Sequence, residues 1–236
     1  MTSGGRARTS LDCAACPVRE RAACSALTAG ERDTLARAGR TRRLRRGELL
    51  FAAGDENVCF ATLISGGLKV AAFDEMGTER ILALVRPGSF IGELFAPFAH
   101  HDVVALADSE LCVFPASEIG RAVELHPRLA QALLRRSQED LLQSRDLLAL
   151  SGRRSASARV AGFLMALAEE AGDPSCRAAP EFELPLTRGE IAGMLGLTIE
   201  TVSRVLTKFE RDRVIRRKGA RGIELIDPAR LEFEAA

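Results

Sequence analysis

The residues with the most distinctive chemistry in this sequence are three cysteines near its beginning. Cys13, Cys16 and Cys24 form a C-x2-C-x7-C cluster, and the chain holds six cysteines among its 236 residues. The x2 spacing lets two thiolates grip one metal centre, and the longer loop returns a third thiolate to it. Either an iron–sulfur cluster or a structural zinc ion then requires a fourth soft ligand. The first residues lack the apolar core of a secretory signal, so metal or redox chemistry is expected here rather than disulfide bonds.

A second set of polar residues, between Thr187 and Glu210, has the pattern of a nucleic-acid reader. Thr187 to Glu190 forms a capping box for a short helix, Gly196 permits a tight turn, and Thr198 caps a second helix. Two short helices joined by a glycine-containing turn predict a helix-turn-helix, whose second helix enters the major groove of double-stranded DNA. The side chains available for bases and phosphates are Thr187, Arg188, Thr198, Glu200, Thr201, Ser203, Arg204 and Lys208.

The formal net charge of +1 conceals an uneven distribution along the chain. Residues 1–46 carry +7, residues 47–112 carry −7, and Arg204 to Arg221 carry +6. The last of these patches includes a two-stranded wing expected within residues 214–226, whose basic tip would contact phosphates. The run from Arg37 to Arg46 holds six arginines. It is either a solvated face or a contact surface for an acidic partner.

The middle of the chain predicts the scaffold that positions these groups. From Gly47 to Ser117, short apolar runs are separated by Gly, Pro and Asp at about ten-residue spacing, which indicates a small antiparallel barrel or sandwich. Thr28 to Glu31 is a capping box that opens a short helix before it. With 47% hydrophobic and 28% charged residues, and no apolar run near the roughly 18 residues of a membrane span, the chain is expected to be a cytoplasmic protein with no membrane segment.

A long helix is predicted from Pro127 to Gly152, because no other Gly or Pro interrupts this stretch. It carries a heptad seam of alternating leucine and small residues: Ala130, Leu134, Ser137, Leu141, Ser144, Leu148 and Ser151. Such a seam fits a homodimeric coiled coil of close approach, which the polar serines weaken. A second apolar face, which includes Leu129 and Leu133, leaves an intramolecular core helix as the alternative. We favour a dimer of marginal and hence adjustable strength.

This order of elements resembles the Crp–Fnr transcription regulators over nearly the whole chain. Glu200, Ser203 and Arg204 match the recognition residues of the Fnr branch, and Ile199 stands where the cAMP branch places Arg. The resemblance implies an α+β fold with a cyclic-nucleotide-binding-like jelly-roll or β-barrel sensor domain, a long dimerisation helix and a C-terminal winged helix-turn-helix. It also implies a TTGAT-N4-ATCAA palindrome as target, RNA polymerase as a partner, and no enzymatic activity. The domain boundaries expected are 1–27 for the cysteine-rich segment, 28–126 for the sensor, 127–154 for the dimerisation helix and 155–236 for the DNA-binding domain.

The resemblance also supplies the fourth thiolate. Cys112 stands where the Fnr branch carries its fourth cluster ligand, and the N-terminal cysteines resemble those of the same branch. The implied cofactor is an oxygen-labile 4Fe–4S cluster on Cys13, Cys16, Cys24 and Cys112, which would control dimerisation or DNA binding. Two alternatives remain: structural zinc with constitutive DNA binding, and a metal-free thiol switch. Cys59 is interpreted as a small buried hydrophobe and Cys176 as incidental.

A cyclic nucleotide is the competing ligand in this family. Gly92-Glu93-Leu94 keeps part of the pocket of the cAMP branch, but His101-Asp102 stands where that pocket has Arg-Ser. Because an acidic residue there would repel a phosphate, no cyclic nucleotide is expected. In well-known members an Asp on the long helix opposes dimerisation, whereas Ser144 occupies that position here.

Overall fold

The computed structural model describes residues 11–153, 155–171, 179–219 and 221–236. Two compact units are present: residues up to Ala72 together with Ala83–Leu142, and Phe73–Leu82 together with Gln143–Ala236. Cys176 lies outside the described residues. Within the described ranges, no helix combines the length and apolarity that crossing a membrane requires.

The first unit begins with a short 3-10 helix, Ala23–Ala26, and helix α1, Ala29–Ala38. The capping box predicted at the start of α1 is confirmed. The Thr28 hydroxyl accepts from the Glu31 N–H, and the Glu31 carboxylate accepts from the Thr28 N–H at 2.7 Å. These two bonds satisfy backbone donors that a helix leaves free in its first turn.

Eight strands follow and form two four-stranded sheets. They are β1 (Arg40–Leu44), β2 (Leu49–Phe51), β3 (Cys59–Ser65), β4 (Leu68–Phe73), β5 (Glu79–Val85), β6 (Phe90–Ile91), β7 (Asp102–Ala105) and β8 (Ser109–Pro115). The strand orders are β1-β8-β3-β6 and β2-β7-β4-β5, and β8 runs antiparallel to both of its neighbours. The predicted sandwich is therefore confirmed, and β1 adds an arginine-rich edge strand that the apolar pattern did not indicate.

Strand β8 has two buried faces. Leu111 and Val113 belong to the core between the sheets, which also contains Leu63 and Leu68. The alternate residue Cys112 belongs with Phe114 to a second apolar layer, formed with the helices of this unit. Because side chains alternate between the two faces of a strand, one strand serves both layers.

Two helices follow the sheets, and the second of them continues past Leu142 into the second unit. Helix α2 spans Ala116–Leu125, and helix α3 spans Pro127–Ser151, as the sequence predicts for the long helix. Leu129 and Leu133 of α3 are buried in the second apolar layer. In the single chain, Leu134, Leu141 and Leu148 of the predicted seam are 62%, 49% and 72% exposed.

The second unit is a winged helical domain. Its elements are α4 (Ala156–Ala171), β9 (Glu181–Glu183), α5 (Arg188–Leu195), α6 (Ile199–Arg211), β10 (Ile215–Lys218), β11 (Gly222–Leu225) and α7 (Pro228–Ala235). The sheet order is β10-β11-β9. Strand β9 lies on Glu181–Glu183 and not on the apolar Leu184–Leu186 that follows, where the sequence pattern predicts a short strand. Phe182 pairs with Ile223 between two exposed glutamates, whereas Pro185 has no N–H for a ladder.

Candidate metal centre and nucleic-acid interface

Cys13, Cys16, Cys24 and Cys112 line one cavity of about 50 Å³ in the first unit. The rest of its wall is mostly apolar and comes from the sheet and the helices, including Leu35, Phe90, Phe114, Ile119, Leu129 and Leu133. The structure thus brings together the four cysteines that the sequence singled out, from positions nearly one hundred residues apart. Cys59, at the start of β3, packs against the core between the sheets instead.

Local hydrogen bonds shape the segment that carries the N-terminal cysteines. The Asp12 carboxylate accepts from the N–H groups of Ala14 and Ala15, both at 3.1 Å, and so closes a turn around Cys13 and Cys16. Cys24 sits in the short 3-10 helix. Cys112 is fixed by strand pairing on both sides, opposite Thr41 of β1 and Thr62 of β3.

The thiols of the cavity are electrostatically coupled. Burial raises the pKa of Cys24 to about 11 and that of Cys112 to about 12, with further increases from Cys13 and Cys16. Burial also raises the pKa of Cys13, whereas the guanidinium of Arg32 lowers the pKa of both Cys13 and Cys24. Cys13, Cys24 and Cys112 therefore resist ionisation, and a positively charged metal centre in the cavity would favour their thiolate forms.

The donor set fits the group that the sequence implies. Thiolates in apolar surroundings hold iron–sulfur clusters and zinc, and the four sulfurs share a wall with few competing oxygen ligands. Among the described residues, no three His, Cys, Asp or Glu side chains form a compact group able to hold a metal ion. The fit therefore rests on the donor chemistry and on the shared cavity.

The cavity also touches the start of α3. Leu129 and Leu133 form part of its wall. Outside the cavity, the guanidinium of Arg128 donates to both carboxylate oxygens of Glu31, and His126 Nδ1 lies 3.2 Å from Glu31 Oε1. Hydrogen bonds from the backbone N–H and the hydroxyl of Thr28 lower the pKa of Glu31 to about 2. The guanidinium of Arg128 contributes a smaller decrease. We call the three side chains Glu31, His126 and Arg128 the Glu31 link. No motif in the sequence predicts this contact.

In the second unit, α5 and α6 form the predicted helix-turn-helix. The capping box between Thr187 and Glu190 is confirmed, and Gly196 ends α5 in the left-handed region at φ 62°. A side chain is strained in that conformation, which explains the glycine. Thr198 caps α6 by accepting from the Thr201 N–H at 3.2 Å. Val202, Val205, Leu206 and Phe209 are buried beneath it.

The exposed side of these helices presents most of the predicted DNA contacts. Glu200 and Arg204 are exposed on α6, and Arg204 Nη2 lies 3.4 Å from Thr201 Oγ1. Ser203 is 3.4 Å from a guanidinium nitrogen of Arg188 on α5. Hydrogen bonds from its own backbone N–H and from the Thr198 hydroxyl lower the pKa of Glu200, which keeps it an anionic acceptor.

Several basic groups of this unit are already paired. The ammonium of Lys208 lies 3.2 Å from Glu234 and 3.9 Å from Asp212. In the wing, cations pair with acids in three places: Arg216 with Glu224, Arg217 with Glu210, and Lys218 with Glu181. The segment from Arg204 to Arg221 therefore carries less free positive charge than its formal +6 suggests.

The comparisons with known proteins agree with this architecture. Residues 158–233 match the Crp-like helix-turn-helix domain, and residues 41–126 match the cyclic nucleotide-binding domain. Over 224 residues the chain is 34% identical to the nitrogen fixation regulation protein FixK of Bradyrhizobium diazoefficiens, covering 95% of this chain and 94% of that protein. The chain belongs to the Crp–Fnr family of transcription regulators. The resemblance drawn from the order of the elements is confirmed, and as a Crp–Fnr regulator the protein is not an enzyme.

Other members of the Crp–Fnr family are similarly close. The transcriptional activator protein FnrL of Cereibacter sphaeroides is 31% identical over 226 residues, which cover 94% of this chain and 91% of FnrL. The structure of FixK2 from Bradyrhizobium japonicum superposes with a TM-score of 0.75 at 25% identity, covering 84% of this chain and 98% of FixK2. Crp–Fnr regulators bind DNA and act as dimers.

In the cAMP branch, part of the Crp–Fnr sensor domain binds a nucleotide. In this chain the acidic residues of that part form hydrogen bonds with other residues of the chain. The Glu93 carboxylate accepts from the His100 N–H at 3.3 Å and also contacts the His100 ring. The Asp102 carboxylate accepts from the Ala53 N–H at 2.7 Å. Both acids therefore already have partners within the chain.

Proposed function

We propose that this protein is an oxygen-responsive transcription regulator of the Fnr type, with a 4Fe–4S cluster on Cys13, Cys16, Cys24 and Cys112. The observation that carries the proposal is the shared cavity of these four cysteines. Its wall contains Leu129 and Leu133, so the same residues that would enclose the cluster also hold the start of the dimerisation helix. When bound, the cluster supplies four cationic attachment points for thiolates and a centre that oxygen destroys.

The residues around the cavity explain how a bound cluster would influence DNA binding. Cys112 is held rigidly by β1 and β3, whereas Cys13 and Cys16 sit on a hydrogen-bonded turn. Thiolates tied to one centre would fix that turn against the sheet. Release of the N-terminal thiols would remove packing from Leu129 and Leu133, and the Glu31 link would then hold the start of α3 with less support.

A small change at the start of α3 can matter because the seam is weak. Leucines alternate there with Ala130 and the serines at 137, 144 and 151. A modest packing energy is sufficient to shift a nearly balanced monomer–dimer equilibrium, or a nearly balanced pair of dimer states. Ser144 stands in place of the Asp that opposes dimerisation in well-known members, so both modes of control stay in the proposal: monomer–dimer exchange, and DNA affinity within the dimer.

At the DNA, the proposed reading residues are Glu200, Ser203 and Arg204. Arg204 can pair with a guanine and Glu200 can accept from a cytosine, while Ser203 and Thr201 contact bases or phosphates. The proposed target is a TTGAT-N4-ATCAA palindrome, bound in the bacterial cytoplasm by a dimer that engages RNA polymerase. A cyclic nucleotide is not proposed as ligand, since Glu93 and Asp102 are bonded within the chain.

The deciding experiment is purification without oxygen, followed by counts of iron, acid-labile sulfide and zinc per chain. About four irons and four sulfides per chain are expected for a 4Fe–4S cluster. Zinc on the same cysteines would instead indicate a structural site with constitutive DNA binding. A metal-free protein that binds DNA only in one thiol state would indicate a redox switch.

A matched pair of cysteine variants separates ligation from general damage. Cys112→Ser should abolish cluster retention, because it removes the one thiolate that the sheet supplies. Cys59→Ser, which changes a half-buried cysteine outside the cavity, should retain iron and sulfide at the wild-type level. Equal retention in both variants would contradict the ligand set. DNA binding that is indifferent to air in an iron-loaded protein would contradict the sensing mechanism.

A further inference from the structure

One arginine of α4 joins the end of the long helix α3 to the turn of the helix-turn-helix. The Nε–H of Arg159 donates to the carbonyl of Arg153 at 2.9 Å. Its Nη1 donates to the carbonyl of Leu195 at 3.2 Å and lies 3.4 Å from the carbonyl of Gly196. Arg153 lies two residues beyond α3, Leu195 is the last residue of α5, and Gly196 caps that helix. We call the guanidinium of Arg159 with these three carbonyls the hinge clamp.

The side chain of Arg153 holds the same hinge from a second direction. Its guanidinium donates to the carbonyl of Ala235 near the end of α7, and lies 3.4 Å from the carbonyl of Ala158. It also lies over Gly162 of α4, where a Cβ atom would overlap the guanidinium of Arg153 and would be 2.5 Å from Cδ2 of Leu150. The lack of a side chain at residue 162 therefore lets the end of α3 pack directly against α4.

The hinge clamp places a positive charge where helices leave carbonyls without partners. The last four carbonyls of a helix accept no hydrogen bond within that helix, and the helix dipole makes this end negative. Arg159 meets such an end at α5 and meets the backbone just beyond the end of α3. Among the described residues, no carboxylate lies within ion-pairing distance of Arg159, so its guanidinium bonds to backbone. Because a guanidinium is planar and its donor directions are fixed, it holds these carbonyls in one arrangement.

All parts of the hinge clamp belong to the second unit, which contains α3 from Gln143 onward together with the helix-turn-helix. This part of α3 includes Leu148 of the predicted seam. At the other end of the clamp, Thr198 lies two residues after Gly196 and caps α6. The turn that the clamp holds therefore sets where the reading helix begins. One guanidinium thus joins the helix of the predicted dimer seam to the helix of the predicted DNA contacts.

We propose that Arg159 is a positioning residue that fixes each reading helix against its own α3, and thereby specifies the spacing of the two DNA half-sites. The proposal rests on dimeric DNA binding by the family and on the proposed seam of α3, and not on the metal at the cysteines. One base pair more or fewer between half-sites rotates them against each other by about 34°, since DNA has about 10.5 base pairs per turn. A clamped dimer has to break hydrogen bonds of the clamp to follow that rotation, whereas a dimer without the clamp does not.

The test measures half-site spacing with the full-length protein, purified without oxygen. The wild-type protein first selects a palindromic site from random sequence. Two further duplexes carry the same half-sites with one base pair more or one base pair fewer between them. Dissociation constants are measured on all three duplexes for wild type and for Arg159→Gln, which removes the clamp.

A second variant and a control accompany Arg159→Gln. Gly162→Ala disturbs the same hinge with Arg159 in place, because the new Cβ displaces Arg153 and Leu150. Alanine favours a helix more than glycine does, so α4 itself is not weakened. The control is Arg230→Gln, which removes the same charge from an exposed position on α7.

The measured quantity is the ratio of the dissociation constant at an altered spacing to that at the selected spacing. This ratio should be about tenfold smaller in Arg159→Gln than in wild type, the factor that corresponds to one lost hydrogen bond from a charged group. Gly162→Ala should lower the ratio in the same direction, and Arg230→Gln should keep the wild-type ratio.

An unchanged ratio in Arg159→Gln and Gly162→Ala would overturn the proposal. This includes equal weakening on all three duplexes, because Arg159 would then only stabilise the fold. Equal wild-type binding at all three spacings would overturn it too, since no part of the hinge would then set a spacing. Iron and sulfide counts on the same samples report the proposed cluster separately, and sedimentation reports the dimer.

Discussion

The heptad seam of α3 makes a quantitative prediction for Ser137→Leu. Ser137 is exposed and lies between Leu134 and Leu141, which are 62% and 49% exposed in the single chain. Burial of a leucine side chain contributes roughly 1.5–3 kcal/mol, and a dimer gains two such residues. Taking the lower value, because a seam buries its residues incompletely, gives about 3 kcal/mol. That corresponds to a dimer dissociation constant about 100-fold lower than that of wild type.

Sedimentation equilibrium of air-exposed protein over a concentration series measures this constant. Gln143→Leu is the matched control, since it adds the same side chain at an exposed position on the far side of the helix from the seam. Ser137→Leu should also keep DNA binding in air at concentrations where wild type loses it. A dissociation constant for Ser137→Leu within threefold of wild type would contradict dimerisation through this seam. Equal strengthening of the dimer by Gln143→Leu would contradict it too, because nonspecific hydrophobic association would then explain both effects.

Three further predictions concern single side chains. Because the folded-state pKa of Glu31 is about 2, below its ordinary 4.5, its pairing stabilises the fold above about pH 4.5 and is lost as the pH falls toward 2. Glu31→Gln should therefore lower Tm at pH 7, and the difference from wild type should vanish near pH 2 in thermal melts. Arg32→Gln removes a cation beside Cys13 and Cys24. With the proposed iron–sulfur cluster bound, its visible absorbance should therefore decay several-fold faster in air, whereas Arg32→Lys should decay at the wild-type rate. A slower decay in Arg32→Gln would contradict the role given to its charge. Arg204→Ala should weaken binding to the site by about 1–3 kcal/mol and relax specificity at one base pair, as measured by competition with substituted duplexes. A uniform loss across all sequences would mean that Arg204 contacts only phosphate.

The elements with strong local patterns were predictable from the sequence. The strand β4 coincides with an apolar run, and the helix α3 coincides with an uninterrupted heptad pattern. The two capping boxes, at the starts of α1 and α5, have the residue types that their hydrogen bonds require. The helix α7 was not predicted, although Asp227 followed by Pro228 is an N-terminal helix signal. Asp227 does cap α7, by accepting from the Arg230 N–H at 3.0 Å.

Other features depend on residues that are distant in sequence. Strand β1 reads as a charged run, and it becomes a strand because Thr41 pairs with Cys112 of β8, so tertiary context overrides its composition. The Glu31 link joins residues 97 positions apart and has no local signal. The neutralisation of Lys208 by Glu234 likewise requires α7 to be in place. The residue types of the candidate site were therefore predictable, whereas their charge states and their contact with α3 were not.

The alternation of residues along β8 separates the stability of the domain from the signal that it receives. Leu111 and Val113 build the core between the sheets, while Cys112, on the opposite face, lines the cavity that the three N-terminal cysteines share. A substitution at Cys112 therefore changes the proposed ligand set and leaves the core between the sheets unchanged. The same architecture could acquire a different sensor, or lose sensing altogether, through changes on only one face of a single strand. This arrangement suits a scaffold that diversifies its inputs while it conserves its output to DNA.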